Sequence, residues 1–274
     1  MIIHGHPFLL YNDDMNINFY KYNGAGNDFV VLDNREEWFD WNNIELIQKL
    51  CDRKFGVGAD GILLLQNKDG YAFEMLYANS DGSRGSMCGN GGRCITAFAE
   101  KIGIIEKDNE ITFWGPDGEH RAVVKNDGTV SLQMIDVEKI TERNNLDFIH
   151  TGTDHHIQFV THLESFPICT EARKVRDNQD NPAGVNINYV EKQNGQWYVR
   201  TYERGVEDET LACGTGATAV ALLLSHQEKI TGNSCDIVMP GGTLSILFNK
   251  TDSGFKNIWL TGPAEFVFTG TIAA

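Results

Sequence analysis

Short runs of β-branched and aromatic residues, each ended by glycine, asparagine or aspartate, recur along this chain, and helical spacing interrupts them only a few times. "INFYKYNG" and "NDFVVLDN" open the pattern as strands running into turns. At Asn43 the period changes. In "NIELIQKLCDRKF" the apolar residues Ile44, Ile47, Leu50 and Cys51 recur at i, i+3, i+4 spacing and predict a helix. "GVGADGILLLQNKDG" reads as a glycine turn, a buried strand and a second turn, and "YAFEMLYANSDGS" as a strand entering a turn. "RCITAFAEKIGI" has almost no polar face, which predicts a helix buried on most sides. "EITFWG", "HRAVVKNDG" and "TVSLQMIDV" return to strands.

The second half runs in the same order. "HHIQFVTHL" is a strand after a glycine turn, and the polar region "CTEARKVRDNQDNPAG" leads to the strands "VNINYVEK" and "WYVRTYER". "GVEDETLACGTGATAVALLLSHQ" predicts a loop and another buried helix, and "CDIVMP", "GTLSILFN", "IWLTG" and "AEFVFTGTI" close the chain as strands. Two landmarks share one offset. Cys88 and Cys213 head similar Cys-Gly turns 125 positions apart, and "GAGNDFVV" and "GTDHHIQFV" differ by about the same amount, with Asn27 opposite Thr153 or Asp154. A shared offset predicts a duplicated half. The polar stretch from Val137 to Asn145 is the one candidate linker.

Composition narrows the function. The chain has 274 residues, enough for one large domain or two ordinary ones. Its formal charge of -15 argues against nucleic acid or an anionic membrane as partner. No apolar run approaches the roughly 18 residues that span a bilayer. Residues 1–14 lack a basic region and a small-residue cleavage site, so they read as a tail without an assigned role. A cytoplasmic chain with reduced thiols is the expectation.

The candidate chemistry lies in "MCGNGGRC" and "ACGTGATA". Each places a cysteine where an apolar helix begins, and there the first backbone N–H groups lack internal partners and carry partial positive charge. Such a site is expected to lower a thiol's pKa and to hold a carboxylate close to glycine backbone. Two thiols facing each other could take a proton from one face of a carbon and return it to the other, which is racemisation or epimerisation. A zinc site, a redox pair and plain core packing are the rival readings. Cys88 and Cys94 are spaced too widely for a Cys-x₂₋₄-Cys metal pair, and no Cys-x-x-Cys is present.

Four ordered motifs, "YNGAGNDFVVLDN", "CDRKFGVGADGILLL", "NSDGSRGSMCGNGGRC" and "YERGVEDETLACGTGATA", resemble the diaminopimelate epimerase family from about Asn16 to the C-terminus. The resemblance implies an α/β (α+β) fold of two pseudo-symmetric halves. Each half is a curved, mostly antiparallel sheet wrapped around a central apolar helix, and the active site lies in the cleft between them. The halves are placed at 15–136, with Cys88, and 137–274, with Cys213, and the last strand (about 264–271) is expected to pair back with the first half.

The resemblance further implies interconversion of LL- and meso-diaminopimelate in lysine and peptidoglycan precursor synthesis, without metal or other cofactor, and it leaves a homodimer open. Residue by residue, Cys88 and Cys213 match the catalytic thiols. Gly89, Asn90, Gly214 and Thr215 match contacts to the reacting carboxylate. Asn27, Asn79 and Asn186 match substrate-holding asparagines, Glu203 and Arg204 match a pair at the site, and His155 matches a histidine near the first cysteine. Thr153 stands where an asparagine is usual and Gly61 where a glutamine is, which puts the grip on the distal substrate end in question. A related amino-acid isomerase and a catalytically silent amino-acid-binding protein are the alternatives.

Overall fold

The computed structural model describes residues 16–143, 146–176 and 184–273; residues 1–14, with the tail assigned there, lie outside them. The first half contains strands β1 (Asn16–Gly24), β2 (Asn27–Asp33), β3 (Gly61–Gln66), β4 (Glu74–Asn79), β5 (Ile111–Gly115), β6 (Gly118–Val124) and β7 (Val130–Gln133), with helices α1 (Ile44–Cys51) and α2 (Gly89–Lys101). The second contains β8 (Ile140–Arg143), β9 (Leu146–His150), β10 (Asp154–Phe159), β11 (Asn186–Gln193), β12 (Gln196–Glu203), β13 (Asp208–Thr210), β14 (Ser234–Met239), β15 (Gly242–Thr251) and β16 (Gly254–Gly262), with helices α3 (Ile168–Arg176) and α4 (Gly214–His226). Strand β17 (Glu265–Ala273) ends the chain.

Pairing repeats strand for strand. β1–β2 is antiparallel, β2–β3 parallel, β3–β4 antiparallel and β4–β5 parallel, and β5–β6–β7 is an antiparallel meander. In the second half β9–β10, β10–β11, β11–β12 and β12–β14 follow with the same polarities, and β14–β15–β16 is the matching meander. The β16–β7 pairing sews the halves together. β17 pairs antiparallel with β1, as β8 does with β9, so the last strand supplies the first half with its outermost member. Register also settles the alignment of the duplicate. Phe29 opposes Gly61 and His155 opposes Asn186, so Asn27 corresponds to Thr153 and not to Asp154.

Strands buried on both faces position the central helices. In β2, Phe29 and Val31 face the core around α2, while Val30 and Leu32 face a second core under α1. In β11, Val190 faces α4, and Ile187 and Tyr189 face the layer that contains Ile168 and Ala172 of α3. Parallel strands covered on both sides need such continuous apolar runs. α4 is apolar all round, with Val220, Leu222, Leu223 and Leu224 fully buried. Each such side chain contributes about 1.5–3 kcal/mol of burial.

Three expectations are corrected. The helix begun at Asn43, whose Oδ1 caps Leu46 N–H at 3.0 Å, stops at Cys51 rather than running through "DRKF". The polar region after Phe166 contains helix α3, on which Ile168 and Ala172 form a narrow buried stripe. The proposed linker is partly strand, because β8 begins at Ile140. No helix among the described residues is long and apolar enough to cross a membrane.

Candidate active site

Both Cys-Gly turns fold alike. Cys88 (φ -115°, ψ 116°) and Cys213 (φ -122°, ψ 108°) are the N-caps of α2 and α4, each with extended backbone and each followed by a thirteen-residue helix. The glycines after them open each helix, so "GNG" and "GTG" are its first turn and not a loop before it. Neither sulfur makes a cap hydrogen bond, but the N–H groups of Asn90 and Gly91 favour charge on Cys88 and that of Gly216 favours charge on Cys213. Gly216 is required by crowding: a Cβ there would lie 2.4 Å from Asn188 Oδ1.

The expected lowering of the thiol pKa is reversed. Burial raises Cys88 and pushes Cys213 up to about 12, outweighing the helix N–H groups. The negative charge of Glu203 adds to the rise at both, and Cys88 adds to it at Cys213, so one carboxylate and two sulfurs share one electrostatic site. Desolvation disfavours a thiolate until a cation or further donors enter. Burial likewise raises the Glu203 carboxyl, opposed by a 3.0 Å hydrogen bond from Thr210 Oγ1.

Around Cys88 the contacts come from β2, the turn before β3, β4 and α2. Asn27 Oδ1 lies 3.6 Å from Cys88 Sγ, and Asn27 Nδ2 donates to Asp60 Oδ2 at 2.7 Å. Asp60 is held by Arg53, which also pairs with Asp28. Burial works to raise Asp28, but hydrogen bonds from Arg53 and Lys21 prevail and hold it at about 2. The Asn90 amide is occupied by protein: Nδ2 donates to Ala212 O at 3.2 Å, and Oδ1 accepts from Arg93 Nη2 at 2.9 Å. Asn79 accepts from Tyr77 OH at 2.8 Å and donates to Ser83 Oγ at 3.0 Å.

Around Cys213 the contacts come from β10, β11 and α4. Thr215 Oγ1 is 3.4 Å from Cys213 Sγ and 3.4 Å from Thr153 Oγ1. Thr153 Oγ1 is 2.9 Å from His155 Nε2 and accepts from Asn186 Nδ2 at 3.0 Å. Asn186 Oδ1 accepts the Arg204 N–H at 2.8 Å. His155, expected beside the first cysteine, is therefore joined through two threonines to the second. It is fully buried, and desolvation lowers its pKa to about 3, so it is neutral.

A cavity of about 440 Å³ opens onto both helix N-termini between the halves, with Met87 and Gly89 from one half and Thr151, Thr153 and Thr215 from the other in its lining.

Tyr77, Asp60 and Asn188 belong to the site although nothing in the sequence alone singles them out. Tyr77 explains Gly61. A Cβ at Gly61 would lie 2.5 Å from Ala78 O and 2.7 Å from the Tyr77 ring, and one at Gly85 only 2.0 Å from the same ring. No glutamine fits at 61; the phenol lies between two glycines and reaches Asn79 instead. Burial and the nearby charges of Cys88, Asp60 and Glu203 raise its pKa.

The comparisons agree with this geometry. The model of the diaminopimelate epimerase family matches residues 19–140 and 148–267, one stretch in each half. The chain is 49% identical to a diaminopimelate epimerase of Flavobacterium psychrophilum over 92% of its own length and 99% of the relative's. It is 39% identical to the Chlorobaculum tepidum enzyme of that name over 91% and 98%. Among solved structures, a phenazine biosynthesis protein of the PhzF family from Bacillus anthracis shares the fold, with a TM-score of 0.73 at 13% identity over 95% of this chain and 100% of that one. With paired N-cap cysteines, a duplicated sheet around each central helix and these matches along nearly its whole length, the chain belongs to the diaminopimelate epimerase family.

Proposed function

We propose that the chain is an isomerase that interconverts LL- and meso-diaminopimelate by a two-base mechanism, with Cys88 and Cys213 as opposed acid and base. The observation that carries this reading is the pair of cysteines at equivalent N-caps, both of which feel the charge of Glu203. One sulfur takes the α-proton as a thiolate, and the other delivers its S–H proton to the opposite face. Backbone N–H groups of the first turns, at Gly89 and Asn90 and at Gly214 and Thr215, suit the α-carboxylate and the charge that develops as the proton leaves. Asn27, Asn79, Asn186, Glu203 and Arg204 are assigned to substrate, with Glu203 able to take an ammonium. His155 acts through Thr153.

A homodimer belongs to the same proposal. β17 offers an edge of nine residues that exposes Phe266, Val267 and Phe268, a surface suited to a second copy. A cytoplasmic location is supported by six free thiols, two of which must stay reduced to act. The test is proton exchange on LL-diaminopimelate in D₂O with stereochemical product analysis. The expected result is α-deuterium together with the meso isomer. Binding without deuterium would leave a silent binding protein instead.

A further inference from the structure

The hydrogen bonds around the two sulfurs have opposite directions, and each direction is fixed by a group that can only donate or only accept. On the Cys213 side the chain of fixed directions begins at Asn188. Its Nδ2 faces His156 O, a carbonyl that only accepts, at 3.1 Å, and Thr201 Oγ1 donates to its Oδ1 at 2.9 Å. The same Nδ2 lies 3.1 Å from His155 Nδ1, which is therefore the accepting nitrogen of the ring. A neutral imidazole then carries its proton on Nε2 and donates it to Thr153 Oγ1, 2.9 Å away.

Asn186 is fixed in the same manner. Its Oδ1 accepts the Arg204 backbone N–H, so its Nδ2 donates to Thr153 Oγ1. With both acceptor positions filled, the Thr153 hydroxyl has only its proton to offer, and Thr215 Oγ1 is 3.4 Å away. Thr215 in turn points its proton at Cys213 Sγ, also 3.4 Å away. Every link donates toward sulfur.

On the Cys88 side the direction is opposite. Asp60 accepts from Asn27 Nδ2, and Asn90 Nδ2, fixed by the Ala212 carbonyl, donates to Asn27 Oδ1 at 3.4 Å. Asn27 thus presents a carbonyl oxygen to Cys88 Sγ, an acceptor that suits S–H. Other influences run the opposite way: two helix N–H groups favour charge on Cys88 against one on Cys213, and charge on Cys88 raises Cys213. The hydroxyl chain must outweigh them. Glu203 repels negative charge at both. Buried Arg93 favours charge on Cys88, but its N–H groups bond Gly89 O, Asn90 Oδ1 and Pro263 O. Asp154, His150 and Arg204 are the charged groups acting on His155.

We propose that the Thr153–Thr215 hydroxyl chain makes Cys213 the sulfur that ionises first, the base of the free enzyme, while Asn27 keeps Cys88 protonated as the acid. This rests on the epimerase reading. In a turnover from this state the α-proton passes to the Cys213 thiolate, and Cys88 gives its S–H proton to the opposite face and is left as thiolate. Protons and charge balance, and the reverse reaction starts from the inverted pair. Thr153 and His155 are positioning residues, and Thr153 has exchanged an asparagine's grip on substrate for a hydroxyl's donation to Thr215.

The test needs no substrate: ultraviolet thiolate absorbance is followed against pH in the full chain and its variants. The thiolate step removed by Cys213→Ser should lie at lower pH than the step removed by Cys88→Ser. Thr153→Val should move the Cys213 step up by about one pH unit, a tenfold fall in thiolate at fixed pH. Thr153→Ser, which keeps the hydroxyl, should titrate like the parent chain. A step removed by Cys88→Ser that lies below the one removed by Cys213→Ser, or an unshifted Cys213 step in folded Thr153→Val, would overturn the assignment. Failed deuterium exchange on diaminopimelate with the titration as expected would instead overturn the epimerase reading.

Discussion

Gly216→Ala should damage the fold far more than Gly89→Ala, although the two glycines lie in matching first turns. At Gly216 the added methyl would come within 2.4 Å of Asn188 Oδ1. Asn188 cannot turn away without loss, since its amide is bonded to Thr201, His155 and His156 O in a buried network. Displacing it leaves at least one buried group unpaired, at about 1–3 kcal/mol, and overpacking adds about 1–3 kcal/mol. The expected loss is therefore about 2–6 kcal/mol.

At Gly89 the same methyl meets only Leu260 and Leu132 side-chain carbons at 3.8 and 3.9 Å, so stability should change by less than about 1 kcal/mol. Urea denaturation, with comparison of midpoints at unchanged slope, reads both. Asn188→Ala in the Gly216→Ala background should give a loss well below the sum of the single effects, because the clash is already removed. A Gly216→Ala midpoint equal to that of Gly89→Ala would refute the reasoning.

Other outcomes follow from the site. Cys88→Ala and Cys213→Ala should each abolish epimerisation, because inversion needs both faces served; near-normal turnover of LL-diaminopimelate by either would remove the two-base mechanism. His155 is neutral when folded, with a pKa of about 3, and takes up a proton near 6.5 when unfolded. Its contribution is thus complete above about pH 6.5 and should drain away at up to roughly 1.4 kcal/mol per pH unit as pH falls toward 3. His155→Asn should flatten that acid limb in denaturation curves; an unchanged slope would argue against a buried neutral ring. Asp60→Ala frees the Asn27 amide to flip and should raise KM for diaminopimelate several-fold. Val267→Glu on the exposed face of β17 should shift sedimentation toward the monomer, and an unaltered dimer would place the interface elsewhere.

The repeating arrangement was legible because its signals are local: glycine at each turn, period-two runs in the strands, and two apolar helices 125 positions apart. Helix α3 was obscured because its buried stripe is only Ile168 and Ala172 among charged neighbours. The duplication itself would have revealed it, for α1 shifted by that offset falls on α3. Cys88 and Cys213 stood out as chemistry at turns, while the asparagines and Glu203 were marked only by the family resemblance. Tyr77, Asp60 and Asn188 did not stand out, because each reads as an ordinary strand or turn residue until pairing sets it beside its partner. The thiol pKa was misjudged because a helix end is visible in sequence while the depth of its burial is not.

The place of β17 bears on how the chain is born. The first half has its outermost strand only when residues Glu265–Ala273 pair with β1. During synthesis from the N-terminus, Asn16–Gly24 must therefore wait with one edge open while the whole second half emerges and folds. The duplicated halves cannot mature one after the other as independent domains. A nascent chain stopped short of Glu265 holds both cysteines and both central helices, yet lacks the strand that closes its older half.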